Sequence, residues 1–109
     1  MANTFKLKTK ANVGVSTVGI YTAPAATTTV VIGITLSNTS GSGVNEGVGI
    51  TRAGKTEDVK LLKNAPIPQG SSLEFMGGNK VVLETTDTLT VDSDTNNSVD
   101  AALTIMEIT

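Results

Sequence analysis

The sequence contains no cysteine, no histidine and no tryptophan, and it has only one tyrosine, two phenylalanines and a single arginine, Arg52. Without cysteine there are no disulfides, no thiolate nucleophile and no cysteine-containing zinc site. Without histidine the chain lacks the side chain that most often moves protons near neutral pH and most often ligates transition metals. Lysine, aspartate and glutamate are what remain for acid–base work. The shortage of aromatics removes the platforms on which sugar rings stack. Eight basic residues against ten acidic ones leave a formal charge of −2, with no basic footprint for nucleic acid. No apolar run approaches the roughly 20 residues of a membrane helix; the best is Val30-Val31-Ile32-Gly33-Ile34. The start, Met1-Ala2-Asn3-Thr4-Phe5-Lys6-Leu7-Lys8, interleaves charges with apolar residues instead of offering a continuous apolar stretch, so no signal peptide is expected. These absences predict a structural or binding module rather than an enzyme. It is expected to be made in the cytoplasm, with no cofactor, metal, nucleic acid or membrane partner.

What the sequence does have is β-branched residues: 18 Thr, 12 Val and 7 Ile in 109 positions. These are stiff at χ1 and suit a pleated surface better than a helix, and apolar residues recur with a period of two. In 28–38, Val30, Ile32, Ile34 and Leu36 fall on one face and Thr29, Gly33, Thr35 and Ser37 on the other, with Val31 breaking the pattern. Near the end, Val99, Ala101, Leu103 and Ile105 oppose Asp100, Ala102, Thr104 and Met106. Shorter pairs repeat the signal: Phe5 with Leu7, Val18 with Ile20, Val48 with Ile50, Val59 with Leu61, Leu73 with Phe75, Val81 with Leu83, and Leu89 with Val91. Turn sequences separate them: Ser40-Gly41-Ser42-Gly43, Ala53-Gly54-Lys55, Pro66-Ile67-Pro68-Gln69-Gly70, Gly77-Gly78-Asn79 and Asp94-Thr95-Asn96-Asn97. Eight or nine strands about 10 residues apart predict one antiparallel β-sandwich domain over 1–109, jelly-roll or immunoglobulin-like.

Six apolar residues fall off the core phase: Val31, Leu62, Met76, Val82, Met106 and Ile108. Together they are candidates for an oligomer or partner interface; the alternative is that β-bulges shift the register and put several of them in the core. The other candidate sites are weaker. Asp92-Ser93-Asp94-Thr95-Asn96 has the spacing that opens an EF-hand loop. However, Asn97 stands where the sharp-turn Gly belongs and Leu103 where the bidentate Glu belongs, so a polar turn is expected. Gly77-Gly78-Asn79-Lys80 lacks phosphate-loop spacing. The tripeptides Asn38-Thr39-Ser40 and Asn96-Asn97-Ser98 match the glycosylation pattern by composition alone. Glu57/Asp58 and Asp92/Asp94 are expected to be solvated charges near turns rather than an acid–base couple. Lys6, Lys8 and Lys10 share one side of the first strand, where they would discourage unwanted pairing at a sheet edge; contact with an acidic partner is the other use. No residue is predicted to be catalytic or metal-binding.

Four motifs in the same order resemble small virion proteins of marine and cyanobacterial tailed phages. Ile20-Tyr21-Thr22-Ala23-Pro24-Ala25 is similar to that family's "Y-T-x-P-A" turn, which leads into a long strand, here ending at Asn38-Thr39. Leu62-Lys63-Asn64-Ala65-Pro66-Ile67-Pro68-Gln69-Gly70-Ser71-Ser72-Leu73 resembles its "K-N-A-P-[IV]-P-x-G-x-x-L" connection. Gly77-Gly78-Asn79-Lys80-Val81-Val82-Leu83-Glu84 resembles its "G-G-x-K-[IV]-V-L-E" hairpin, followed by Asp87. Met106-Glu107-Ile108-Thr109 resembles its "L-E-I-T" ending. Thr86 stands where the "x-G-D" motif has Gly, a departure expected to alter one turn.

The resemblance implies a virion structural protein located on the capsid, a decoration or cement protein. Such a protein would dock on the major capsid protein and stabilise the head. A homotrimer is expected, because cyclic symmetry presents several weak patches at once. Its faces would include some of the six off-phase residues, with the loops at 40–44 and 94–98 reaching the shell or solvent. A tail or fibre subunit shares these expectations of fold, and a glycan-binding module is the rival from another class.

Overall fold

A computed structural model describes residues 2–52, 57–75 and 80–109. The expected turns at Ala53-Gly54-Lys55 and Gly77-Gly78-Asn79, and the interface candidate Met76, lie outside the described residues. Those described form nine strands and no helix long and apolar enough to cross a membrane. The strands are β1 (Asn3–Val13), β2 (Val18–Thr22), β3 (Thr28–Asn38), β4 (Val44–Arg52), β5 (Glu57–Ile67), β6 (Ser72–Phe75), β7 (Val81–Leu83), β8 (Asp87–Ser93) and β9 (Val99–Ile108).

Two antiparallel sheets pack face to face. Sheet A has the order β1-β9-β3-β6, with β7 also pairing with β3, and sheet B has the order β2-β8-β4-β5. Among the described residues only β4 and β5 are successive strands that pair, and β6 and β7 both pair with β3 in sheet A; the other connections cross between sheets, which is the winding of a jelly roll. The all-β sandwich read from the period-two pattern is therefore the fold. One cluster of buried apolar side chains fills the space between the sheets. Sheet A contributes Val31, Ile34, Leu36, Leu83, Val99, Ala101, Leu103 and Ile105, and sheet B contributes Val44, Val48, Ile50, Ile67, Leu89 and Val91.

The phase of β3 differs from the expectation. Val31 pairs with Ile105 but Gly33 with Thr104, so Ile32 is an extra residue, a β-bulge. Thr29, Val31, Ile34, Leu36 and Asn38 turn inward, while Val30 and Ile32 are half-buried on the outside. Val31, an interface candidate, is 0% exposed and belongs to the core. The bulge alternative was right for that residue. Leu62 also leaves the outer face: it pairs with the core residue Val48 and packs partly buried against the core. Phe5 and Leu7 move the other way. They pair with Met106 and Thr104 on the outside of sheet A, exposed at 69% and 65%. Lys6, Lys8 and Lys10 occupy the opposite side of β1, which is indeed an edge strand.

Thr86 carries a structural cost. Residues 84–87 form a tight turn closed by the Asp87 N–H donating to the Glu84 carbonyl at 3.0 Å, and Thr86 sits in it at φ 73°. A β-branched residue in the left-handed region is strained, whereas glycine is not. Thr86→Gly is expected to raise stability by about 1 kcal/mol; urea unfolding checks this, and a loss of stability would contradict it.

Candidate functional site

The outer faces of the two sheets have opposite character, as their registers show. Across sheet A, Phe5 (β1) pairs with Met106 (β9), Met106 with Val30 (β3), and Val30 with Val82 (β7). This places four apolar side chains in one row that spans about 14 Å at normal strand spacing. Leu7 and the bulged Ile32 flank the row on one side and Ile108 on the other. Between the side chains of Asn3 and Thr9 no charged residue interrupts this outer face on β1, β9 or β3; the remaining members are Asn3, Thr9, Thr28, Thr35, Thr104 and Ala102. Val82 is 55% exposed. Across sheet B the outward residues are instead Thr22, Thr51, Thr88, Thr90, Lys60 and Asp92 with Gly19, Gly47 and Gly49. The Asp92 carboxylate covers Gly47 so closely that a Cβ there would lie 2.4 Å from Oδ1. Apolar side chains thus collect on one outer face, and polar and small ones on the other.

Of the six interface candidates, the structure brings Val82, Met106 and Ile108 onto this face, and Val31 and Leu62 are elsewhere. Phe5, Leu7, Val30 and Ile32 complete the patch and were not expected there. Lys6, Lys8 and Lys10 take the inward phase of β1, opposite Ile105, Leu103 and Ala101, which charged side chains can do because the strand lies at the edge of the sheet; that leaves Phe5 and Leu7 on the outer face.

At one end of the sandwich three loops converge. Asp94 N–H donates to the Asn45 carbonyl at 3.0 Å and its carboxylate accepts from Asn45 N–H at 3.1 Å. Thr39 N–H donates to Ser98 O at 2.8 Å, and Ser93 N–H to Gly14 O at 2.9 Å. The loops at 40–44 and 94–98 are therefore neighbours. Asn38 is buried, and its amide nitrogen donates to the carbonyls of Ser42 and Ile67, each at 2.9 Å. It ties the first loop to β5 and is not presented for glycosylation. Asp92 accepts from Thr17 Oγ at 3.0 Å and lies 3.7 Å from Lys60 Nζ. Among the described residues no group of three acidic side chains is placed to hold a cation.

Polar clasps join the strands. Tyr21 on β2 donates to Glu107 Oε2 at 2.5 Å and lies 2.8 Å from Thr29 Oγ, bridging sheet B to sheet A; Lys6 completes the group 2.9 Å from Glu107 Oε1. The Tyr21 hydroxyl and the Lys6 ammonium hold the Glu107 carboxyl below the usual range, and burial beside that carboxylate pushes the Tyr21 phenol up to about 12. Arg52 joins Asp87, Nε to Oδ1 at 3.1 Å, and Glu84. It does so beside a cleft of about 380 Å³ lined by Ile50, Val59 and Val82. With its guanidinium engaged by two carboxylates, this corner is a structural lock.

Glu46 stands apart. It is 1% exposed, inward on β4 between Val44 and Val48, and neither carboxylate oxygen has a hydrogen-bond partner. Burial first, then the charges of Asp92 and Asp94, pushes its pKa up to about 8; the Gly47 N–H offsets this only in part, from outside hydrogen-bonding geometry. Glu46 is therefore protonated in the folded chain at neutral pH but ionised in the unfolded one. Unfolded chains then bind fewer protons, so stability falls with rising pH. Glu107 has the opposite sign, its contribution being lost on acidification below the ordinary carboxylate range. Folding stability is expected to fall by about 1 kcal/mol per pH unit from about pH 5 to pH 8, and Glu46→Gln to remove that slope. Urea titrations at several pH values check this, and an unchanged slope in the variant would contradict it.

No family model and no curated protein sequence matches the chain. Among solved structures, it is similar to a protein from Bacillus endospore appendages, which are described as a novel family of disulfide-linked pili. The TM-score is 0.57 with 14% identity, covering 99% of this chain and 87% of the other. At that identity the likeness is one of fold, and a chain without cysteine has no means of disulfide linkage.

Proposed function

We propose that this chain is a non-enzymatic structural protein of a tailed-phage virion, a capsid decoration protein that docks on the major capsid protein and stabilises the head. The observation that carries the proposal is the apolar row Phe5–Met106–Val30–Val82 on the outer face of sheet A, with no charge on β1, β9 or β3 between Asn3 and Thr9, opposed by a polar outer face on sheet B. A face of this kind is an interface waiting for cover. Copies of the chain pack through it, three around a local axis, which brings three sets of loops 40–44 and 94–98 to bear on the shell at once. Such repetition strengthens weak contacts without any single strong site. The four motifs resembling phage virion proteins supply the particle. The interlocked sandwich, with its inter-sheet Tyr21–Glu107 clasp, suits a protein that must persist on an exposed surface.

Val82→Asp puts a charge at the β7 end of the apolar row on an exposed residue, so folding is retained while packing is lost. On heads lacking the protein, wild type is expected to cosediment and Val82→Asp to bind at least roughly tenfold more weakly. Equal binding by both would overturn the choice of face. Binding to tails and not heads would replace decoration with a tail role.

A further inference from the structure

β1 is fastened to the rest of the chain chiefly by one ladder. From Asn3 to Asn12 every residue is exposed except the partly buried Lys8, so neither side of the strand is packed under the other sheet. Its attachment is the ladder to β9, from Asn3 opposite Ile108 to Lys10 opposite Ala101. The Lys6–Glu107 ion pair adds to it, as does the Lys8 ammonium 5.9 Å from the centre of the Tyr21 ring. Directly after that ladder the register breaks, between Lys10 and Val13. Asn12 sits at φ 58°, its N–H donating to Asp100 Oδ1 at 2.9 Å. Val13 then enters the core at 1% exposure. The chain therefore divides at residues 11–12 into an exposed arm and an anchored body.

We infer that β1 is exchanged between copies, residues 3–10 of one copy completing sheet A of another by pairing with its β9. The inference rests on the self-association proposed above. Each contact that holds the arm is made to β9 or to Tyr21, so a second copy offers the same ladder, the same carboxylate for Lys6 and the same ring for Lys8. Exchange of an identical element costs little for this reason. What changes is the hinge. The left-handed Asn12 and the broken register serve to return the chain onto its own sheet, and a straight path releases both. Extended, residues 3–10 reach about 26 Å, close to the 27 Å breadth of the molecule. The exchanged arm carries Phe5 and Leu7 with it, so the row Phe5–Met106–Val30–Val82 becomes composite, its first member from one copy and the others from the next. The apolar face is then built from two chains.

The absence of native cysteine makes the test direct. Thr9 and Ala102 oppose each other in the β1–β9 ladder, away from the apolar row. Disulfide formation needs Cα atoms within about 7 Å, whereas sheets packed face to face lie about 10 Å apart, so only the ladder brings these two positions within bonding reach. The variant Thr9→Cys/Ala102→Cys is oxidised in its native state, run denatured without reductant, and its solution mass is measured by light scattering. Most of the disulfide-linked protein is expected to migrate as two or more chains. A one-chain product from a multi-chain assembly would overturn the exchange and leave self-association standing; a one-chain product from a one-chain solution mass would overturn both. Asn12→Pro holds φ at about −65° and removes the N–H given to Asp100. Added to the same pair, it is expected to raise the multi-chain fraction, and a fraction unchanged or lowered in a variant of wild-type circular dichroism would contradict the hinge.

Discussion

The one extra residue that β3 carries at Ile32 decides which side chains of the five-stranded sheet turn inward. In an unbroken strand Val31 and Ile34, three positions apart, would face opposite ways; with the bulge both point into the core, together with Leu36 and Asn38. The same shift leaves Val30 on the outside, in line with Met106 and Val82. β3 lies at the middle of sheet A, paired to β9 along one side and to β6 and β7 along the other. Its phase is thereby passed to every neighbour, and through β9 to β1. The composition of the core and that of the apolar outer face follow from a single insertion in the ladder.

From this comes an asymmetric molecule. Sheet B turns threonines, glycines and charged groups toward water, whereas sheet A turns Phe5, Leu7, Val30, Ile32, Val82, Met106 and Ile108. An isolated exposed apolar residue says little, since much of any protein surface is apolar. A row that crosses four strands without a charge is different, because each side chain extends the area its neighbour offers to a partner. The interior carries a similar contrast. Glu107 is held as an anion by Tyr21 and Lys6, while Glu46, without a partner, needs its proton. Both demands are met best in mildly acidic solution, and Glu46 is the weaker point at higher pH.

Much of the fold was legible in the residues. Alternation in β9 assigned Val99, Ala101, Leu103 and Ile105 to the core correctly, because nothing interrupts that strand's register with β3 except the bulge on the β3 side. β3 itself misled because its extra residue, Ile32, is as apolar and β-branched as its neighbours and leaves no local mark. For β1, a period of two defines two faces but not which is covered; that depends on the strand's place at a sheet edge, a long-range property. Met106, Val82 and Ile108 were found as off-phase apolar residues, whereas Phe5 and Leu7 were missed for want of that edge. Glu46 was missed, although it falls in phase with Val44, Val48 and Ile50. The Tyr21–Glu107 clasp joins positions 86 residues apart, and no local pattern announces it.

The claim on which the functional account rests is that sheet A's outer face is covered by other copies of the chain. Light scattering on a sizing column tests it most directly, with the wild-type protein at several concentrations. The account predicts a mass near three chains that persists on dilution into the micromolar range. A mass of one chain, 11.1 kDa, at every concentration would contradict it.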